Sequence, residues 1–425
     1  MATAFSFSRG GGPIRRLLLF LIGCGVIYLI IVNSLVPVRQ FAKYPRDSVN
    51  TFVDHKAKSS IDEKHGADAD ARASANSAST ASKLGLDRAT KNLLSITTNF
   101  SESTLFNETM QSDVLLSGPA GTMESLREEA EQDEAEYLEK MKGKPMCPDI
   151  PEIKDMKGRV PQATLLIEDM DEEEVMLNNA FVNPGGRWRP TECISRHKVA
   201  IIIPYRDRHS HLTRLLNFLY PILRQQLIDF RFIVTEQYGD DLFNKGRIMN
   251  AAFRLAENLN VNCVIFHDVD MFPQDDRNPY GCPTTPRHLG AFVSNLGYQL
   301  WYKEIVGGAL SITMNDYRTV NGYSNMYWAW GGEDDDMGTR ILSRNYTIER
   351  PNPDTGRYSM LKHVKRKRTA PKLIYKLLDS ASKRWEVDGL NQTGLWKVVR
   401  IYERPLYYHL YVDVGVPPKE WRSDS

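Results

Sequence analysis

The run Val264-Ile-Phe-His-Asp-Val-Asp270 constrains this chain more than any other stretch. Its first half is short, apolar and rich in β-branched residues, the pattern of a buried strand. It stops on two carboxylates, Asp268 and Asp270, with one residue between them. Side chains two apart at a strand end point the same way, so both face one crevice. In an open α/β sheet, ligands bind outside the carboxyl ends of the strands. A hard divalent cation takes oxygen ligands there, and such a cation suits a diphosphate. The plainer alternative is that one Asp caps a helix and the other is solvated, so the pair alone does not decide.

The flanking order supplies the frame. Val199-Ala-Ile-Ile-Ile-Pro204 is a second buried-strand run, ending in Tyr205-Arg-Asp-Arg208. Leu212, Leu215, Leu216, Leu219, Ile222 and Leu223 follow at helical spacing, despite Pro221 near the end. Phe230 to Val234 reads as a strand, Leu242 to Leu259 as a helix and Asn262 to His267 as a third strand. Strands alternating with helices predict a parallel sheet wound with helices. No Gly-x-Gly-x-x-Gly is present, which disfavours dinucleotide binding. Arg206 and Arg208 at the end of the first strand suit a phosphate or a nucleotide rim; a solvated loop explains them equally.

The N-terminal third looks different. Leu17 to Val36 is uncharged and mostly apolar, near the ~20 residues that span a bilayer. Arginines and lysines flank it on both sides, so charge does not orient it. Four Asn-x-Ser/Thr sequons, at Asn99, Asn107, Asn345 and Asn391, favour a lumenal C-terminal body. Residues 37–146 are rich in Ala, Ser, Asp and Glu and bury too little to offset chain entropy. The expected organisation is a cytoplasmic tail (1–16), a transmembrane signal anchor (17–36), a disordered stem (37–146) and a lumenal catalytic domain (147–425). With 54 Lys and Arg against 53 Asp and Glu, no nucleic-acid partner is expected. Cys24 falls in the anchor, leaving four cysteines for an oxidising compartment.

Two further stretches carry chemistry. Tyr327-Trp-Ala-Trp-Gly-Gly-Glu-Asp-Asp-Asp336 joins two tryptophans, two glycines and four acids. Trp328 and Trp330 offer flat surfaces for a sugar, and the acids require a cation or a raised pKa. A helix starting near Glu333 would explain some of those acids by its dipole alone. Met360-Leu-Lys-His363, followed by the basic run from Lys365 to Arg368, offers a histidine that is either a metal ligand or a lone imidazole.

Together, Ile203-Pro-Tyr-Arg-Asp-Arg208, Phe243-Asn-Lys245, Asp268-Val-Asp270, Trp328-Ala-Trp-Gly-Gly-Glu-Asp-Asp-Asp336, Met360-x-x-His363 and Asp388-Gly-Leu-Asn391 resemble the β-1,4-galactosyltransferase family of Golgi glycosyltransferases. The resemblance covers about Cys147 to Pro417 and implies a GT-A fold in a single-pass type II Golgi membrane protein. It implies Mn²⁺ on Asp270, Met360 and His363. It places a UDP-sugar against Pro204, Tyr205, Arg206, Arg208, Phe243, Lys245, Asp268 and Val269, with Lys365 near the diphosphate and Trp330 closing over the donor. Asp334 is then the general base on a terminal GlcNAc 4-hydroxyl. Tyr302, Gly332, Glu333 and Asp335 form the acceptor rim, and Tyr375 and Leu378 take the N-acetyl group. Cys147 pairs with Cys193, and Cys263 with Cys282.

Ile305 falls where vertebrate galactosyl members carry Tyr against the donor's C2 substituent. The resemblance therefore implies UDP-GalNAc as donor and GalNAcβ1-4GlcNAc as product, with UDP-galactose the alternative. Two other classes compete. A binding protein on a dead transferase fold would show damage in the Asp-x-Asp or at the base position, and a two-metal phosphodiesterase would need a second His and Asp set. Neither feature is found in the sequence.

Overall fold

The computed structural model describes residues 122–166, 170–362 and 370–422. The expected tail and anchor, Asn99, Asn107, His363 and Lys365 lie outside the described residues. Among those described, no helix is long and apolar enough to cross a membrane.

The alternation of strand and helix is realised. Strand β1 (Lys198–Tyr205) pairs in parallel with β2 (Asp229–Gln237) and with β3 (Cys263–His267). The intervening helices occupy His209–Gln225 and Lys245–Glu257. The second begins later than its apolar pattern suggests because Asn244 caps it, accepting from the Arg247 N–H at 2.9 Å. Two antiparallel strands at Ala309–Thr313 and Arg287–His288 extend the sheet beyond β3, and Tyr408–Asp413 and Lys397–Glu403 extend it beyond β2, giving seven strands.

Alternation along the strands divides the core. Ala200, Ile202, Ile233, Val264 and Phe266 pack on one face with the helix from Lys245. Val199, Ile201, Ile203, Phe230, Phe232 and Ile265 pack on the other with the helix from His209. A small second sheet joins β4 (Met271–Pro273) to Arg357–Met360 and Phe292–Val293. It forms directly after the Asp-x-Asp turn.

Part of the stretch expected to be stem, before residue 147, is helical and packed. Helix α1 (Met123–Lys140) lies on the domain, with Leu126 and Ala130 buried. Its acids meet body cations: Glu134 lies 2.8 Å from Lys198, and Asp133 lies 3.1 Å from Arg189. The helix has a thin apolar stripe, and composition does not show the charge pairs that add to its docking. Both disulfides, Cys147–Cys193 and Cys263–Cys282, are formed.

Candidate active site

The carboxyl ends of β1 and β3 open into one cleft, lined on the strand side by Pro204, Arg206, Arg208, Asp268, Val269 and Asp270. Phe243, Lys245, Ala329, Trp330, Glu333, Asp334 and Met360 complete its lining. The Arg206 guanidinium lies 5.0 Å from the Phe243 ring and donates to the Asp241 carbonyl at 2.8 Å, which makes a planar rim suited to a base. Tyr205 is half-buried at the end of β1, outside the cleft lining.

Lys245 is the centre of the charge arrangement. Its ammonium lies 3.0 Å from Asp268, 3.2 Å from Asp334 and 3.4 Å from Glu333. Burial alone would lower its pKa, but these carboxylates outweigh it and hold the ammonium well above the usual lysine value. Asp334 keeps a quarter of its side chain facing the cleft. Burial pushes its carboxyl up to about 8, against the pull of Lys245 and with the help of Glu333 and Asp268.

The acids divide by role. Helix α6 (Glu333–Ser343, after α2 at Glu172–Asn178, α3 at His209–Gln225, α4 at Lys245–Glu257 and α5 at Met314–Thr319) starts on Gly332 at φ 100°. A Cβ there would sit 2.6 Å from Tyr327 and 2.9 Å from Ile374, so glycine is required on conformation and on space. Asp335 accepts from the Tyr302 hydroxyl at 2.7 Å, which joins two of the expected acceptor residues. Asp336 is fully buried and structural. It accepts from Arg340 and Arg384 at 2.5 Å and from Tyr327 at 2.9 Å. Asp388 closes the set, accepting from Arg340 at 3.1 Å and pairing with Arg384.

One expectation needs correction, and the other residues are placed as follows. Trp328 does not present a sugar surface: it is 1% exposed, with the Arg247 guanidinium 4.8 Å from its ring. Trp330 is the exposed one of the pair, at 51%. Ile305 is half-buried and outside the cleft lining, two residues before Gly307, where a Cβ would meet the Asp334 carboxylate at 3.0 Å. Tyr375 is exposed and Leu378 half-buried on α7 (Pro371–Arg384), which reaches the site through Ile374 against Gly332. Ala329, at φ 65°, also lines the cleft, a placement by backbone that no sequence signal announces.

For a metal, two of the three expected donors are brought together. Met360 pairs with Met271 across the small sheet, and the Leu361 N–H donates to the Asp270 carbonyl at 2.9 Å. Asp270 is buried, with Arg208 2.9 Å from its carboxylate. No group of three His, Cys, Asp or Glu converges among the described residues, and His363 lies outside them. A carboxylate suits a hard divalent ion such as Mn²⁺, and a thioether is a soft donor for it, so Met360 would tune affinity more than supply it.

Two family models match the chain: the N-terminal region of glycosyl transferase group 7 over residues 147–283, and the N-terminal domain of galactosyltransferase over residues 287–364. Mouse β-1,4-galactosyltransferase 1 is 38% identical over 250 residues, covering 58% of this chain and 62% of the mouse protein. Chinese hamster β-1,4-galactosyltransferase 4 is 38% identical over 255 residues, covering 59% of this chain and 74% of that protein. A solved structure of a mutant Drosophila β1,4-galactosyltransferase 7 in complex with manganese, UDP-Gal and xylobiose is 24% identical, covers 53% of this chain and 98% of that one, and aligns with a TM-score of 0.46. The chain belongs to the β-1,4-galactosyltransferase family. It spans less than two thirds of the mouse relative's length.

Proposed function

We propose that the chain is an inverting, Mn²⁺-dependent glycosyltransferase of GT-A type that moves GalNAc from UDP-GalNAc to the 4-hydroxyl of a terminal GlcNAc on a glycoprotein or glycolipid. The observation that carries the transferase reading is the single cleft in which one ammonium, Lys245, touches both the strand-end Asp268 and the helix-borne Asp334. Donor-side and acceptor-side groups thus meet within a few ångströms.

Arg206 and Phe243 receive the base, and Arg208 and Lys245 face the diphosphate. Asp270, Met360 and His363 would hold the cation, which supplies charge neutralisation to the departing diphosphate when bound. Asp334 accepts the proton of the attacking 4-hydroxyl, and attack from the face opposite the leaving group inverts the anomeric centre. Trp330 stands over the cleft to exclude water. Tyr302 and Asp335 orient the acceptor ring, and Tyr375 and Leu378 meet its N-acetyl group.

The GalNAc assignment rests on Ile305 replacing the Tyr of galactosyl relatives. UDP-galactose is the second reading, favoured by the names of the relatives. The full chain offered a panel of UDP-sugars with a GlcNAc-terminated acceptor, with Mn²⁺ or with excess chelator, tests both. Preference for UDP-GalNAc, abolished by chelation and shifted towards UDP-galactose in Ile305→Tyr, is the expected outcome. Preference for UDP-galactose in the unmutated chain would overturn the donor assignment alone. Full activity in chelator would overturn the metal.

A Golgi-lumen location on a type II anchor completes the proposal, supported by the apolar run at 17–36, the sequons and two disulfides. Asn345, just after α6, and Asn391 are both exposed, and the Asn391 side-chain amide also donates to the Glu386 carbonyl at 2.8 Å while its oxygen accepts from Asn321 at 2.9 Å. Endoglycosidase treatment should therefore shift the mobility of the unmutated chain, and less so that of Asn345→Gln. An unshifted chain from secretory-pathway membranes would count against a lumenal body.

A further inference from the structure

The residue before the Asp-x-Asp turn has no part in the mechanism above, yet it is fully buried and hydrogen-bonded on both ring nitrogens. His267 ends β3 with Nδ1 2.9 Å from the Asp268 carbonyl oxygen and Nε2 3.0 Å from the Tyr280 hydroxyl. The Tyr280 hydroxyl lies 2.8 Å from that of Tyr358. All three side chains are buried.

These contacts determine where the protons sit. A carbonyl can only accept, so Nδ1 carries the hydrogen. The neutral ring then has a bare Nε2, which accepts from the Tyr280 O–H, and the Tyr280 oxygen in turn accepts from the Tyr358 O–H. Burial lowers the His267 pKa to about 4, which keeps the ring neutral. The chain is anchored at its middle and at its far end. Tyr280 is fixed by its own N–H to the Gln226 side chain at 3.0 Å. Tyr358 is paired with Pro273 and Val293 in the small sheet, two residues before Met360.

We propose that His267 is a positioning residue for the metal-diphosphate corner: through Tyr280 and Tyr358 it holds the Asp268 carbonyl, and with it the 268–270 turn, in register with the strand that carries Met360. The inference rests on the donor site proposed above. A polar chain of this kind does the work that outer hydrogen-bond partners do for metal ligands elsewhere, setting their direction without touching the ion.

The test uses the full chain and reads Mn²⁺ alone and UDP with Mn²⁺ by titration calorimetry, beside thermal melting and steady-state kinetics. Tyr280→Phe leaves Nε2 without a donor and is expected to weaken Mn²⁺ by roughly tenfold. At saturating Mn²⁺ its kcat should return to within about twofold of the unmutated value, because no reacting group is lost. The double variant His267→Phe/Tyr280→Phe should be no weaker than the worse single, since one chain is broken in either case. Should His267→Phe fail to fold, Tyr358→Phe removes only the far donor and is expected to weaken Mn²⁺ by about threefold. A lowered Tm with unchanged Mn²⁺ and UDP affinity in Tyr280→Phe and Tyr358→Phe would make the chain merely structural and overturn the inference. An unmutated chain that binds neither Mn²⁺ nor UDP would overturn the donor site itself, and this inference with it.

Discussion

Asp334→Asn is expected to lower turnover by roughly 10²–10⁴-fold while leaving UDP affinity nearly intact. The amide keeps the shape of the carboxylate but cannot take the proton of the acceptor hydroxyl. Asp334 bears on the nucleotide side chiefly through Lys245, which the uncharged amide holds less strongly, so the large loss should fall on kcat and the change in UDP affinity should be far smaller. The pH dependence gives a second reading of the same group. With its carboxyl pushed up to about 8, Asp334 is protonated below that value and ionised above it. Because the ionised form is the base, kcat/KM should rise as pH passes through about 8, and the Asn variant should lose that limb. An Asn variant with unchanged turnover would move the base to Glu333, the other helix-borne acid beside Lys245.

The second large effect is on stability. Arg340→Met should destabilise the domain by about 3–5 kcal/mol, the cost of breaking a buried ion pair by removing one partner. Arg340 and Asp336 are fully buried, and Asp388 nearly so. With Arg384 they form a set of two cations and two anions, which ties the first turn of α6 to the end of α7 and to the 322–327 segment, through Gly322 and Tyr327. Removing one cation leaves an uncompensated carboxylate in a dry site. Thermal melting should fall by on the order of 10 °C. Asp336→Asn/Arg340→Met, which restores neutrality, should recover part of that loss. A drop of less than about 2 °C in the single variant would mean that water reaches the set.

Much of the site could be read in advance because its signals are local. The β-branched run before Asp268, the apolar stripe from Leu212 to Leu223 and the helix start at Glu333 each depend on neighbours within a turn or a strand. What escaped the sequence depends on contacts far apart in the chain. The two tryptophans of Trp328-Ala-Trp330 look alike in sequence, but Trp328 is swallowed by the core and Arg247 covers its ring. Four consecutive acids look equivalent, but Arg384, 48 residues away, helps to take Asp336 out of the site. His267 reads as one more strand residue until Tyr280 and Tyr358 arrive from outside β3. Helix α1 looks like spacer because its anchors, Lys198 and Arg189, lie more than fifty residues downstream.

Sharing one ammonium between Asp268 and Asp334 also has a thermodynamic meaning. The two halves of the cleft are not electrically separate, since any anion that draws Lys245 towards the strand end weakens its hold on the base. The carboxylate released in this way binds a proton, and hence an acceptor hydroxyl, more strongly. Linkage makes the effect reciprocal: an acceptor that engages Asp334 must change the affinity for the donor by the same factor. In this cleft, order of binding is then a matter of where a single positive charge is held, with no need for a hinge.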